Sequence, residues 1–491
     1  MNNGFSKIFS SSKVEKLVFI LTFAFVLISL AAIYFKENYL LFLFPVFLLI
    51  VYLYFFSIET IFLLIALSTP LSINLSNFDA RLSVSLPTEP LLAGLLLIFL
   101  LKSIYELNSW KLFWKNPITI SFILYFIWIA ITSLTSQMPL VSWKYFASHL
   151  WLIIPMYFFG AQLFFQKENS QRKFIIIQII ALAIVVIYTL IRHMQYHFGD
   201  AEGHWVMQPF FKDHAIYGSA LAIFIPISII FMTDRNYSFT ARFFFGLSAI
   251  ILTLGLVFSY SRAAWLGFFI SISIGIIVKF KIKFKVIAIV FLTLIVGFII
   301  FQKQIFENLQ KNKQDSSVDI MENIKSISNI STDASNLERI NRWNCAIRMA
   351  KDYPLTGTGP GTYQFLYAPY QFSFEKTTIS TNAGTLGNAH SEFLGTMAEM
   401  GIIGLITFTS IVFFIFYIGF KTYSLLLKTD KRKANLILGL LLGLISYFTH
   451  AFLNNFLDTD KIAIPVWGFA AIIVANYILI KSPKNVKEKN L

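Results

Sequence analysis

Lys173-Phe174-Ile175-Ile176-Ile177-Gln178-Ile179-Ile180-Ala181-Leu182-Ala183-Ile184-Val185-Val186-Ile187-Tyr188-Thr189-Leu190-Ile191-Arg192 decides the fold. No charge interrupts it between its basic ends, and a helix needs about 20 apolar residues to cross the hydrocarbon of a bilayer. In lipid only a helix satisfies its own backbone groups along a single segment, so the run reads as a membrane-spanning helix. The composition extends that reading to the whole chain: 57% of the 491 residues are hydrophobic, 13% are charged and 54 are phenylalanine. A soluble domain carries roughly 25% charge. The expected fold class is therefore all-α, a polytopic transmembrane helix bundle.

Comparable runs fall near 17–35, 39–56, 58–71, 89–107, 117–134, 144–165, 214–233, 242–258, 263–279, 286–302, 400–427, 435–452 and 462–480. With 173–192 they make fourteen helices, or twelve if the short run 58–71 is re-entrant and a neighbour is miscounted. On a fourteen-helix path, Lys111 and Lys115, Lys167 with Arg172 and Lys173, Arg235 and Arg242, Lys279 to Lys285, and Lys428 to Lys433 share one side with both termini. Basic loops mark the cytoplasmic side, so both termini are expected there. The net charge of +15 is thus gathered in loops that face acidic headgroups. Membrane lipids are the expected partner of that charge, and nucleic acid is not. Lys7, Lys13 and Lys16 precede the first run as in a signal peptide, but no small-residue cleavage site follows, and an uncleaved anchor is expected. Cys345 is the only cysteine, which rules out an intrachain disulfide.

The resulting division is 1–302 for helices one to eleven, 303–398 for one large extracytoplasmic loop, 399–480 for helices twelve to fourteen, and 481–491 for a cytoplasmic tail. The loop opens on a stretch, Lys311 to Ser335, rich in Ser, Asn, Asp and Lys, which is expected to be a mobile flap or partly disordered. Next, Leu337, Ile340, Trp343, Ile347 and Ala350 recur at helical spacing and leave Arg339, Arg342 and Arg348 off the apolar stripe. That pattern predicts an amphipathic helix ending at Asp352-Tyr353-Pro354. Gly357-Thr358-Gly359-Pro360-Gly361 follows and lacks the Lys and Ser/Thr of a phosphate loop of the Walker type. Asn388-Ala389-His390-Ser391-Glu392 closes the loop, and Glu399-Met400-Gly401 begins the next apolar helix.

Ionisable side chains near membrane depth are costly unless paired or wet, so the few at the extracytoplasmic helix ends are the candidates for chemistry. His390 places an imidazole, which titrates near neutrality, where the loop rejoins the membrane. Arg262, in Tyr260-Ser261-Arg262-Ala263-Ala264-Trp265, opens a helix and can hold a phosphate bidentately; left alone it would snorkel to headgroups. Lys212, Asp213 and His214 stand just before a helix N-terminus, which favours anions. A metal centre is a weaker alternative: His193, His197 and His204 share a loop with Asp200 and Glu202, but no glutamate stands between the first two as in the metalloprotease motif. No nucleophile-elbow sequence supports a serine triad.

Taken in order, Ser261-Arg262-Ala263-Ala264-Trp265-Leu266-Gly267, then Arg342-Trp343 through Asp352-Tyr353-Pro354-Leu355-Thr356-Gly357-Thr358-Gly359-Pro360-Gly361, then Asn388-Ala389-His390-Ser391-Glu392 with Glu399-Met400-Gly401, resemble the shared domain of bacterial O-antigen ligases and O-antigen polymerases. The resemblance runs from about Phe210 to Gly404. It implies an all-helical membrane glycosyltransferase of the C type, inverting, independent of metal and without cofactor. Such an enzyme takes a glycan from undecaprenyl diphosphate at the periplasmic face of the inner membrane. The acceptor is lipid A–core for a ligase, the favoured reading, or another glycan for a polymerase. His390 would be the general base and Arg262 would grip the donor diphosphate, with Arg342 and Glu399 as further substrate-binding positions. Family members carry a second donor-binding arginine where this chain reads Met207-Gln208-Pro209. Arg192, Lys212 or His214 is expected to supply that charge.

A transporter of the same lipid-linked glycans also fits many helices and basic loops, but the apolar runs hold few charges along which a polar substrate could pass. A nonenzymatic scaffold leaves Arg262 and His390 without a purpose.

Overall fold

The computed structural model describes residues 12–36, 41, 43–75, 84–105, 111–282, 334–377, 380–381 and 387–481. Two units are described separately, Met1–Phe62 and Leu63–Leu491. The first holds α1 (Ser12–Lys36), α2 (Leu43–Phe56) and the first turn of α3 (Ile58–Leu71). No residue of α2 is buried, and Phe25 meets Phe44 at 6.2 Å.

In the second unit the helices are α4 (Thr88–Tyr105), the short α5 (Lys111–Trp114), α6 (Pro117–Leu134), α7 (Pro139–Gln166), α8 (Glu168–Met194), the single turn α9 (Asp200–Gly203), α10 (His214–Thr233), α11 (Phe239–Val257), α12 (Arg262–Lys279), α13 (Ala334–Asp352), the single turn α14 (Tyr363–Leu366), α15 (Glu392–Thr429), α16 (Lys431–His450) and α17 (Asp460–Lys481). Strands β1 (Ile73–Asn74) and β2 (Ser85–Leu86) form one short antiparallel ladder. Thirteen of the fourteen expected runs coincide with a helix, the short one at 58–71 included. The run at 286–302, residues 303–333 and the tail beyond 481 lie outside the described residues. Among the described helices nine are long and apolar enough to cross a membrane, and the chain is an all-α polytopic membrane protein.

Burial ranks the helices. In α17, 94% of the spanning window is buried, in α16 83% and in α10 78%, against 28% for α11 and for α12, so the first three form the centre and the last two face lipid. Small residues permit this closeness: a Cβ on Gly443 of α16 would stand 2.6 Å from the Ile223 carbonyl of α10, a contact available only to glycine. Helix starts are capped by side chains, as where Asp213 Oδ1 accepts from the amides of Ala215 and Ile216 at 2.9 and 3.0 Å. At one end of the bundle the Lys433–Glu168 ion pair (2.6 Å) and the Arg432 guanidinium over Tyr237 (5.1 Å) join helix ends that carry basic loops. The starts of α10, α12 and α15 and the end of α16 gather at the other.

The helix expected before Asp352-Tyr353-Pro354 is α13, and it stops at Asp352. Its burial differs from the expectation. Arg342, assigned to the outside face, is buried, whereas Ile347 of the apolar stripe is 37% exposed. Arg342 Nε donates to Glu338 Oε1 at 2.6 Å, and its guanidinium lies 3.8 Å from the Tyr367 ring centre. Burial alone would raise the Glu338 carboxyl, but hydrogen bonds from Ser380, Arg342 and Thr377 together hold it below its usual value. Sequence periodicity sorts residues by polarity and cannot foresee such a pair, which lets the charged side face inward.

Candidate functional site

The glycine-rich loop and the start of α15 form one clamp. Gly359 N donates to the Glu399 carbonyl at 2.8 Å, Thr358 N to the Ala398 carbonyl at 3.1 Å, and the Glu399 carboxylate accepts from Gly361 N (2.9 Å) and Tyr363 N (3.0 Å). Two residues on, Gly401 interrupts α15 with φ +67°, and Ile402 N donates to the Pro354 carbonyl at 2.9 Å. A Cβ at Gly401 would stand 2.1 Å from the Leu355 carbonyl oxygen. Trp128 Nε1 secures the kink from α6 through the Met400 carbonyl at 2.8 Å. The two short motifs, far apart in sequence, therefore fix the strap Tyr353–Tyr363 against the first turns of α15. Glu399, expected to bind substrate, has both carboxylate oxygens engaged in this clamp.

His390 sits just before that helix, with a left-handed backbone (φ +48°) unusual for a residue bearing a Cβ. Three contacts hold it there. Its amide donates to Asn388 Oδ1 at 3.1 Å, its carbonyl accepts from Trp343 Nε1 at 3.1 Å, and its Nδ1 lies 3.3 Å from Asn454 Oδ1. Glu392 fixes the same corner from the other side: its Oε1 accepts from Tyr447 Oη (2.8 Å), Phe456 N (2.7 Å) and Leu457 N (2.8 Å). Burial, with the Arg339 charge acting in the same sense, pushes the His390 imidazole down to about 4. At neutral pH the ring is uncharged and carries the lone pair a base requires.

Charged and titratable groups act on this imidazole and on one another. Arg339 acts electrostatically on His390, on His450 and on His214, and Arg262 acts on His214 in turn. Arg262 is the first residue of α12, His214 the first of α10, and Arg339 lies on α13. His390, His214 and His450 thus share the field of Arg339, and Arg262 adds to that field at His214. Arg339 was visible in the sequence only as a residue off the apolar stripe. His450, inside the apolar run 435–452 and the last residue of α16, carried no local signal.

Other expected positions make contacts of their own. Arg192 Nη1 donates to the Gln208 carbonyl at 2.6 Å while its guanidinium lies over Trp205 (4.9 Å), which secures the loop before α10. Arg342 serves the interior of the 334–381 segment, as described. The loop histidines diverge: His193 is buried with Nε2 2.8 Å from the Gly199 carbonyl, and His204 stacks on His214 at 4.2 Å. Among the described residues no three His, Cys, Asp or Glu side chains are placed to share a metal ion.

Beside the His390 segment lies a cavity of about 300 Å³ whose lining includes Asn388, Ala389 and Ser391. Its wall includes Tyr125, Tyr145, Asn455, Asp458 and Lys212. Burial pushes the Asp458 carboxyl up to about 6, and the Lys212 charge opposes that rise. Aromatic faces alternating with hydroxyl, amide and charged groups suit a polyhydroxylated ring, which presents both C–H faces and hydrogen-bonding edges. Lys212 therefore faces this cavity.

Residues 247–409 match the family model described as O-antigen ligase. No curated protein matches the chain. The matched stretch contains Arg262, the whole of α13, the glycine clamp and His390. The chain is a multi-pass membrane protein that is similar, over residues 247–409, to the O-antigen ligase family.

Proposed function

We propose that the chain is a glycosyltransferase that moves a glycan from undecaprenyl diphosphate to an acceptor hydroxyl at the periplasmic face of a bacterial inner membrane, with both termini in the cytoplasm. His390 takes the proton from the acceptor hydroxyl as its oxygen attacks the anomeric carbon. The C–O bond to the diphosphate breaks on the opposite face, which inverts the configuration. Arg262 and Arg339 bear the charge that develops on the departing diphosphate, the role of an oxyanion clamp. Arg339 fills the place of the second donor-binding arginine, for which Arg192, Lys212 and His214 were the sequence candidates. Lys212 and Asp458 hold a sugar ring in the adjoining cavity.

The observation that carries this reading is the electrostatic grouping of Arg262, His214, Arg339 and His390 within and beside the family domain. Ligation to lipid A–core is the favoured reading, with polymerisation as the alternative within the same family. His390→Ala protein, purified and supplied with donor and acceptor, should bind the donor and transfer nothing; full turnover would remove His390 from the chemistry. Analysis of a deletion strain decides the acceptor. Long chains left on the carrier with bare lipid core indicate ligase, and single repeat units on the core indicate polymerase.

A further inference from the structure

Asn454 is buried immediately beyond α16, and its side chain stands between two imidazoles. Its Oδ1 is 3.3 Å from His390 Nδ1, and its Nδ2 is 3.2 Å from His450 Nε2. The backbone holds it in place: Asn454 N donates to the His450 carbonyl at 3.0 Å, and the amides of Phe456 and Leu457 are tied to Glu392. A neutral imidazole is a base only at the nitrogen that lacks the proton. A carboxamide oxygen accepts and cannot donate, so facing Nδ1 it requires the proton there and leaves the lone pair on Nε2. The opposite end of the amide faces His450 Nε2. With the amide turned over, NH2 would face His390 Nδ1, the proton would move to Nε2, and the base would be lost.

We propose that Asn454 is a positioning residue for the general base, fixing the His390 tautomer through its carbonyl oxygen. The proposal rests on the role given to His390 above. The charged groups acting on His390 are Arg339, Arg342 and Glu338, all on α13, and those acting on His450 are Arg339 and His214. None of them can replace an acceptor at Nδ1, because the only hydrogen bond from that nitrogen runs to Asn454 among the described residues.

The test uses the full-length protein in detergent with a polyprenyl-diphosphate-linked glycan and its acceptor, and reads kcat, donor KM and the acid limb of the pH–rate profile. Asn454→Ala should lower kcat about 100-fold with donor KM within about twofold, since proton abstraction and not donor binding is affected. Asn454→Asp keeps an acceptor at Nδ1 and adds a charge. It should restore most of the rate and move the acid limb up by about one pH unit, because a carboxylate favours the imidazolium. A role confined to packing shifts no limb. Wild-type kcat in Asn454→Ala, or an Asp variant as slow as the Ala variant, overturns the proposal. So does an unmoved limb in the Asp variant, which decides the matter even if the Ala protein fails to accumulate. His390→Ala in the same assay separates the two ideas: full turnover there removes the base and this proposal with it, whereas a dead His390→Ala beside a normal Asn454→Ala removes the proposal alone.

Discussion

Glu399→Ala should open the strap rather than weaken donor binding. The carboxylate accepts two backbone hydrogen bonds, from Gly361 N at 2.9 Å and Tyr363 N at 3.0 Å. A hydrogen bond to a charged group contributes about 1.5–3 kcal/mol. Water can reach the half-buried Gly361 amide but not that of the buried Tyr363, so the lower part of the summed range applies, about 3 kcal/mol. Each 1.4 kcal/mol is about a factor of ten, and local opening should therefore become about 100-fold more frequent. Hydrogen exchange read on peptides spanning 357–366 should accelerate by that factor, while peptides from α10 and α17 stay protected. Glu399→Gln should fall between, because its carboxamide oxygen can take one donor while its NH2 opposes the other. Unchanged exchange in the strap together with a raised donor KM would make Glu399 a substrate ligand and refute the clamp.

Gly401→Ala tests the kink. With φ at +67° and a carbonyl oxygen 2.1 Å from the new Cβ, the protein should lose thermal stability in detergent by more than Glu399→Ala does, and a melting point equal to wild type would show that α15 need not break there. The pH dependence follows from His390. Its imidazole is lowered to about 4, so it stays neutral until the pH falls through that value, and kcat/KM should be level with respect to this group from pH 5.5 to 8. A limb near 6.5 in the free enzyme would contradict the buried, neutral base. The same shift has a stability consequence of defined sign: the unfolded chain binds this proton from about pH 6.5 downward and the folded chain only near 4, so acidification between those values destabilises the fold. Arg262→Ala and Arg339→Ala should each raise donor KM or lower kcat about 10–100-fold, the worth of a charged hydrogen bond. In the Arg339 variant the His390 limb should also rise, because a neighbouring positive charge has gone.

The fold was legible because a bilayer leaves the chain so few options. Runs such as 173–192 or 462–480 can only be helices, and their lengths gave boundaries within a few residues of α8 and α17. The two ends of the proposed site, Arg262 and His390, were legible for a related reason, since ionisable groups at apolar helix ends are rare and stand out. The inner workings of the 334–381 segment were not. Arg342 reads as a surface residue until Glu338, one turn away, and Tyr367, brought back by the chain, are seen to enclose it. Asn454 and His450 were hidden differently. Their relation to His390 crosses about sixty residues, and it arises from α16 packing beside α15 rather than from any local spacing.

The acidic residues of the site explain why its positive ones can act on an anion. Glu392, Glu399 and Glu338 all stand close to His390 in sequence or in space, and as open carboxylates they would repel a diphosphate across a low-dielectric gap. Each is occupied by its own protein: Glu392 by Tyr447, Phe456 and Leu457, Glu399 by the strap amides, and Glu338 by Arg342 with Thr377 and Ser380. Arg262 and Arg339 then set the sign of the field where the donor headgroup would lie. The same engagements build the geometry, because Glu392 orders the loop that bears Asn454 and Glu399 orders the strap beneath His390. A substitution that frees either carboxylate should therefore act twice, loosening the base and adding negative charge beside the leaving group. Glu392→Gln separates the two: it keeps one acceptor for the 454–457 loop and removes the charge. Its rate should fall less than that of Glu392→Ala if order is what matters, and the two should fall alike if the carboxylate itself takes part in the reaction.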